Sequence, residues 1–259
     1  MWELFRVPAA GPASAEEKIY GPTTSAGYPR RSVSTAPNSN PVNAITITPD
    51  GNRVVYRAEY VYTERSQLYS IPITGPRSAN IRLDTTAPTD SGGEVDSYKI
   101  SPDGSRVVYQ ADQDSEDLSE LYSVPVAGPA SANVKLNGPL PLGGVVTTGY
   151  QISPDGSRVV YRAEQQADGV VELFSVPLTG PSSAGIKLNG AFVAGGDVSS
   201  FAISRDGRWI VYRADQDTDD VFELFITDEG GPEPIATPTA TPTATPRVER
   251  LYLPVVRKP

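Results

Sequence analysis

Three segments concentrate the side chains that could do chemistry. They are ADQDSEDLSE (111–120), AEQQADGVVE (163–172) and ADQDTDDVFE (214–223). Asp215, Asp217 and Asp219 stand at alternate positions, and Asp112, Asp114 and Glu116 repeat that spacing. Hard carboxylate oxygens so spaced suit Ca²⁺. Two parts of a calcium loop are missing, however: the sixth position holds no Gly, and Ile226 stands where a bidentate Glu would close the site. The corresponding segment AEYVYTERSQ (58–67) lacks the pattern altogether. The segments therefore read first as solvated polar loops, with no cofactor expected. Beside that reading stands an acidic docking surface for a cationic partner, formed by Asp112, Asp114, Asp117, Glu164, Asp168, Asp215, Asp217 and Asp220. Such a surface steers encounter more than it adds affinity, and it weakens with salt.

The remaining composition narrows the chemistry. The chain has no Cys and no His, which removes thiol nucleophiles, disulfides, Cys/His zinc sites and His-based triads. No G-x-S-x-G elbow or phosphate-binding Gly loop is present. Glycosidic chemistry needs two carboxylates singled out by their surroundings, and carboxylates repeated in equivalent loops match that poorly. A net charge of −9 disfavours nucleic acid and anionic membrane surfaces as partners. No run approaches about 18 apolar residues, so no transmembrane helix is expected.

The elements that must position these loops come from a repeat. SPDGSRVVYQADQ (101–113) returns as SPDGSRVVYRAEQ (153–165) and SRDGRWIVYRADQ (204–216), with a diverged copy, TPDGNRVVYRAEY, at 48–60. Asp50, Asp103, Asp155 and Asp206 thus recur every 51 to 53 residues. A second landmark keeps the same step: QLYSIP from Gln67, ELYSVP from Glu120, ELFSVP from Glu172 and ELFITD from Glu223. Within a unit the apolar periodicity is two. A short strand (Val198, Phe201, Ile203) leads into the P-D-G turn, where Pro presets φ and Gly accepts a positive φ. RVVYRA follows, β-branched and apolar on both faces, then the acidic loop and a third strand. A Gly-Pro turn introduces a short fourth strand whose central cation (Arg82, Lys135, Lys187) reads as a device against edge pairing. Asp in the turn reads as an acceptor of backbone N–H groups. Arg57/Glu59, Arg162/Glu164 and Arg213/Asp215 read as exposed structural pairs.

Four antiparallel strands every fifty-odd residues mark a β-propeller blade. The fold class expected is all-β, a partial or small β-propeller of four blades plus an N-terminal half-blade. Across about residues 40 to 235 the S-P-D-G turn, its apolar-apolar-Tyr strand and the Leu-Tyr/Phe strand resemble the WD-repeat-like repeat of TolB-type proteins. The resemblance implies that the acidic loops share one face with the inter-blade connections, where partners dock. It also covers protein-binding modules, peptidase gates and lyase scaffolds, so fold alone does not assign function.

WELFRVPAAGP at the N-terminus matches VELFSVPLTGP, which places residues 1–21 as the third and fourth strands of a half-blade. Residues 22–44 read as a long polar connection and 45–235 as the four-unit array. ATPTATPTATPR (236–247) reads as an extended Thr-Pro spacer, and 248–259 as a short apolar and basic tail. The YLP of that tail resembles endings of secreted proteins from filamentous green non-sulfur bacteria, which implies sorting to or attachment at the surface. No signal peptide is encoded in MWELFRVPAAGP. The chain is therefore expected to be a truncated product whose intact form works outside the cell or on its surface. Bare blade faces at either end would favour self-association. The function expected is a non-catalytic recognition scaffold for a protein or glycan. The alternatives are the propeller part of a peptidase-type hydrolase and a glycan lyase or glycosidase using the propeller face.

Overall fold

The computed structural model describes residues 4–6, 17–20, 45–60, 65–85, 94–115, 118–228 and 248–251. The chain divides into two compact units, Met1–Lys135 and Leu136–Pro259. In the first, β1 (Leu4–Arg6) pairs with β2 (Glu17–Tyr20) in a two-stranded sheet. Two four-stranded antiparallel sheets follow, each hydrogen-bonded in chain order. The first-blade sheet contains β3 (Ile45–Ile47), β4 (Arg53–Tyr60), β5 (Arg65–Pro72) and β6 (Ile81–Arg82). The second contains β7 (Val95–Ile100), β8 (Arg106–Ala111), β9 (Glu120–Pro125) and β10 (Val134–Lys135).

The second unit repeats the plan. Its sheets are β11 (Gln151–Ile152), β12 (Arg158–Ala163), β13 (Glu172–Pro177) and β14 (Ile186–Lys187), then β15 (Val198–Ile203), β16 (Trp209–Ala214), β17 (Glu223–Asp228) and β18 (Val248–Leu251). These are β-propeller blades, and the fold is the all-β, partial propeller read from the repeat. No helix among the described residues is long and apolar enough to cross a membrane. Beyond the Thr-Pro run, β18 completes the fourth blade: Leu251 pairs with Leu224 and Val248 with Thr227.

Each blade has the same turn between its first two strands. The Ser101 hydroxyl donates to Asp103 Oδ1 (2.5 Å) and accepts from Arg106 N (3.0 Å), while Ser105 N donates to Asp103 (3.0 Å). Gly104 sits at φ +73°, a region L side chains rarely adopt. Thr48/Asp50, Ser153/Asp155 and Ser204/Asp206 repeat the hydroxyl–carboxylate bond. Asp is thus the turn's acceptor, and the hydroxyl bond holds the Asp50, Asp103 and Asp206 carboxyls below the usual range.

Across the second and third strands, aromatic residues fall directly opposite one another. Tyr56–Tyr69, Tyr109–Tyr122, Tyr161–Phe174 and Tyr212–Phe225 stack with ring centroids 5.3 to 5.6 Å apart. Such pairs contribute about 0.5–1.5 kcal/mol beyond their burial. The cores lie between blades within each unit. Val55, Leu68 and Leu83 of the first blade pack against Val95, Tyr98, Val107 and Tyr109 of the second. Val160, Leu173 and Leu188 meet Val198, Ile210, Tyr212 and Phe225 in the same way.

Two charge readings change in the structure. Arg57 Nη1 donates to the carbonyls of Val95 (2.7 Å) and Asp96, and Arg162 Nη1 to those of Val198 (3.1 Å) and Ser199 (2.5 Å). Register shifts lie at those places, between Val95 and Ser97 and between Val198 and Ser200, so carbonyls released from the ladder are taken up by the neighbouring blade's arginine. Arg57 and Arg162 are therefore joints between blades, not members of exposed pairs on one strand. The fourth-strand cations also have definite partners. Lys135 Nζ lies 2.7 Å from Glu120, Lys187 Nζ 2.9 Å from Glu172 and Arg82 2.5 Å from Asp84, all three carboxylates being buried. They neutralise carboxylates taken out of water, a role beyond guarding an edge.

Candidate functional site

The acidic loops and the inter-blade connections form one face in each unit, because side chains of the loops are built into the connections. Gln165 Oε1 accepts from the Tyr161 hydroxyl (3.0 Å) and from Gly138 N (2.9 Å), at the start of the connection. Gln216 does the same with Tyr212 (3.0 Å) and Gly190 N (2.9 Å), and Gln113 with Tyr109 (2.9 Å) and Thr85 N (3.3 Å). A Tyr-x-x-x-Gln spacing thus carries a latch, buried at Gln113 and Gln216 and half-buried at Gln165, that sequence reasoning missed. Its signal was available: the Gln recurs in three of the four repeats, with Tyr60 in its place in the first.

The carboxylates named from the sequence divide by what they touch. Asp112 Oδ1 accepts from Glu94 N (2.6 Å), and Asp215 Oδ1 from the equivalent Asp197 N (2.7 Å). Asp215 Oδ2 also accepts from Asp220 N (3.2 Å). Asp215 is buried, and the Asp197 amide holds its carboxyl below the usual range. Asp114 pairs with Lys135 at 2.6 Å. Glu164 Oε2 accepts from Gly169 N (3.4 Å) within its own loop. Asp168 and Asp219 lie over Gly143 and Gly195, where a Cβ would come within 3.0 and 2.6 Å of their Oδ1 atoms. Asp217 is exposed. Glu116 and Asp117 lie outside the described residues.

The alternating triad is not what the fold brings together. Asp215, Asp219 and Asp220 place one oxygen each within 4.8 Å of one another, while Asp217 is not in that group. Three carboxylates at that separation could share a cation, but Asp215 already spends both oxygens on backbone amides. Asp220 stands at φ +59°, where the preceding repeat has Gly169 at φ +70°.

What the composition-led reading overlooked on this face is apolar. In the second unit Leu142, 99% exposed, adjoins Gly143 in the connection that Asp168 covers. Val193, whose N–H bonds the Gln216 carbonyl (3.1 Å), Val221 and Phe222 are exposed in the corresponding parts of the next blade. Phe222 lies under the Arg213 guanidinium, 3.9 Å from its ring centroid. These apolar residues, together with Asp168, Asp217, Asp219 and Asp220 of the acidic loops, make up the candidate site.

Blades of four antiparallel strands with cores between blades define a β-propeller domain. No protein-family model matches the sequence, and no curated protein matches it. Among solved structures, prolyl oligopeptidase B from Galerina marginata is similar at a TM-score of 0.50 and 12% identity, over 81% of this chain and 28% of that one. A protein assigned as TolB from Agrobacterium tumefaciens is similar at 0.46 and 19%, over 89% of this chain and 72% of that one. Oligopeptidase B from Leishmania major gives 0.49 and 13%, over 71% and 24%. The chain thus spans under a third of the length of either oligopeptidase. At 12% identity the likeness to prolyl oligopeptidase B is one of fold.

Proposed function

We propose that this chain is a non-catalytic, TolB-like β-propeller recognition scaffold that works outside the cell or on its surface. One observation carries the reading. Leu142, Val193, Val221 and Phe222 are exposed in acidic loops and connections whose backbone is held by internal hydrogen bonds. Exposed apolar side chains among charged ones suit a protein-docking patch. A preformed backbone lowers the ordering cost of binding. The partner that fits is a protein with an apolar contact flanked by Lys or Arg. Self-association through unpaired blade faces belongs to the same reading. The Thr-rich, Pro-rich composition of 236–247 supports the surface location.

The test is a surface-immobilised binding screen of cationic amphipathic peptides, run beside turnover assays on peptide and glycan substrates. The expected result is saturable peptide binding that weakens with salt and is lost in Leu142→Asp/Phe222→Asp, without turnover. Turnover, or binding indifferent to both substitutions, overturns the proposal.

A further inference from the structure

The two joints within the units specify what a blade face takes up, and one face has no such occupant among the described residues. At each joint the leading blade offers a Val on its second strand, a Leu on its third and an Arg. These are Val55, Leu68 and Arg57 in the first blade and Val160, Leu173 and Arg162 in the third, with all four aliphatic side chains at 0% exposure. The following blade inserts the alternate residues of its first strand: Tyr98 and Ile100 at one joint, Phe201 and Ile203 at the other. Tyr98 reaches far enough for its hydroxyl to donate to the Val55 carbonyl at 3.0 Å.

The fourth blade carries the same leading set, Val211, Leu224 and Arg213. Here the two aliphatic residues are only half-buried and Arg213 is exposed. Its Nη1 bonds Ser199 Oγ of its own blade at 3.2 Å, and its guanidinium rests on Phe222. The first blade carries the complementary insert. Ile45 and Ile47 occupy the positions of Tyr98 and Ile100, yet are 43% and 57% exposed where Tyr98 is 7%. Charge agrees with the pairing, since the insert contributes uncharged side chains to a face whose cation needs only carbonyls.

We propose that the leading face of the fourth blade (Val211, Arg213, Leu224) binds the first strand of the first blade (Ile45–Ile47) of a second copy of this chain. The contact reproduces between molecules the joint made twice within each molecule. It is head-to-tail, so successive copies add in one direction and generate open assemblies. The proposal deepens the self-association part of the reading above, and its face meets the docking site where Arg213 rests on Phe222.

Sedimentation velocity on the full chain and two variants tests it. The wild type should form a concentration-dependent ladder of species. Ile47→Lys spoils the insert and Leu224→Lys the receiving face, so each alone should be monomeric. An equimolar mixture should give a single dimer, because one intact insert and one intact face remain. Arg213→Glu, at an exposed position, serves as a second receiving-face variant should Leu224→Lys fail to fold, as judged by circular dichroism. A wild type monomeric across a hundredfold concentration range overturns the proposal, as does a mixture that stays monomeric or a ladder that either substitution leaves intact. The peptide screen, repeated on Ile47→Lys, reads the docking face separately: unchanged peptide binding there shows that the two proposals stand or fall apart.

Discussion

The Tyr122 hydroxyl donates to Glu120 Oε2 at 3.0 Å, two residues back along β9, while Lys135 holds the same carboxylate at 2.7 Å. In the third blade Phe174 replaces that tyrosine. Lys187 reaches Glu172 Oε1 at 2.9 Å, but Glu172 Oε2 is buried without a partner. Phe174→Tyr should therefore stabilise the protein by about 1 kcal/mol, the ordinary net gain of a satisfied hydrogen bond. Urea denaturation measures it, and the gain should vanish in a Glu172→Ala background, as a double-mutant cycle requires.

Asp84 occupies the position that is Asn189 in the third blade. Leu68 N donates to Asp84 Oδ1 and Leu173 N to Asn189 Oδ1, both at 2.8 Å. Burial raises the Asp84 carboxyl above its ordinary range against the pull of Arg82. Asp84→Asn keeps the acceptor for the Leu68 amide but takes the carboxylate from the partly exposed Arg82, so it should cost less than Asp84→Ala, which removes both. Asp84→Ala leaves the Leu68 amide unsatisfied and should cost about 1–3 kcal/mol. Equal losses for the two substitutions would show that charge, not acceptance, is what the position supplies.

Asp220 adopts a left-handed conformation, φ +59°, that the preceding repeat assigns to Gly169. Asp220→Gly retains the N–H that Asp215 Oδ2 accepts and removes the strain of a side chain at positive φ. The thermal midpoint should rise by a few degrees at most, in line with a gain under about 1 kcal/mol. A fall would mean that the Asp220 carboxylate itself holds the loop.

The turn carboxylates give the acid response its sign. The folded pKa of Asp103 lies below its unfolded value of about 3.9, chiefly through the Ser101 hydroxyl. Its contribution is fully present above the unfolded pKa and is lost as pH falls through the folded one. Ser101→Ala should return the Asp103 titration, followed by carboxyl-carbon NMR, towards 3.9 and shallow the loss of stability below about pH 4. With no His in the chain, the ordinary titrant of neutral pH is missing from both curves.

The turn, strand order and aromatic register were readable because each depends on neighbours within one repeat. S-P-D-G specifies its own hydrogen bonds, and alternate apolar residues specify a pleat. The joints were less legible. Arg57 and Arg162 stand two residues from a carboxylate in sequence, which suggested a pair, yet the fold aims them at carbonyls of the next blade. Gln165 looks like one more polar loop residue until the connection from the preceding blade passes within hydrogen-bond reach. On the acidic face the carboxylates were found, but Asp112, Asp114 and Asp215 turned out to be spoken for by amides and Lys135. The exposed Leu142 and Phe222 escaped a search that weighed only charge and metal spacing.

The pairing of β18 with β17 brings Val248–Leu251 back alongside Leu224–Thr227, so residues on either side of the Thr-Pro run in sequence are joined by a ladder. A protease nick between Asp228 and Val248 would split the polypeptide without releasing the shorter piece, since ladder hydrogen bonds still span the cut. Such a nicked molecule would migrate as one species in native solution and as two fragments once denatured. Detachment would then follow the opening of a single edge strand, set by temperature and denaturant more than by the protease.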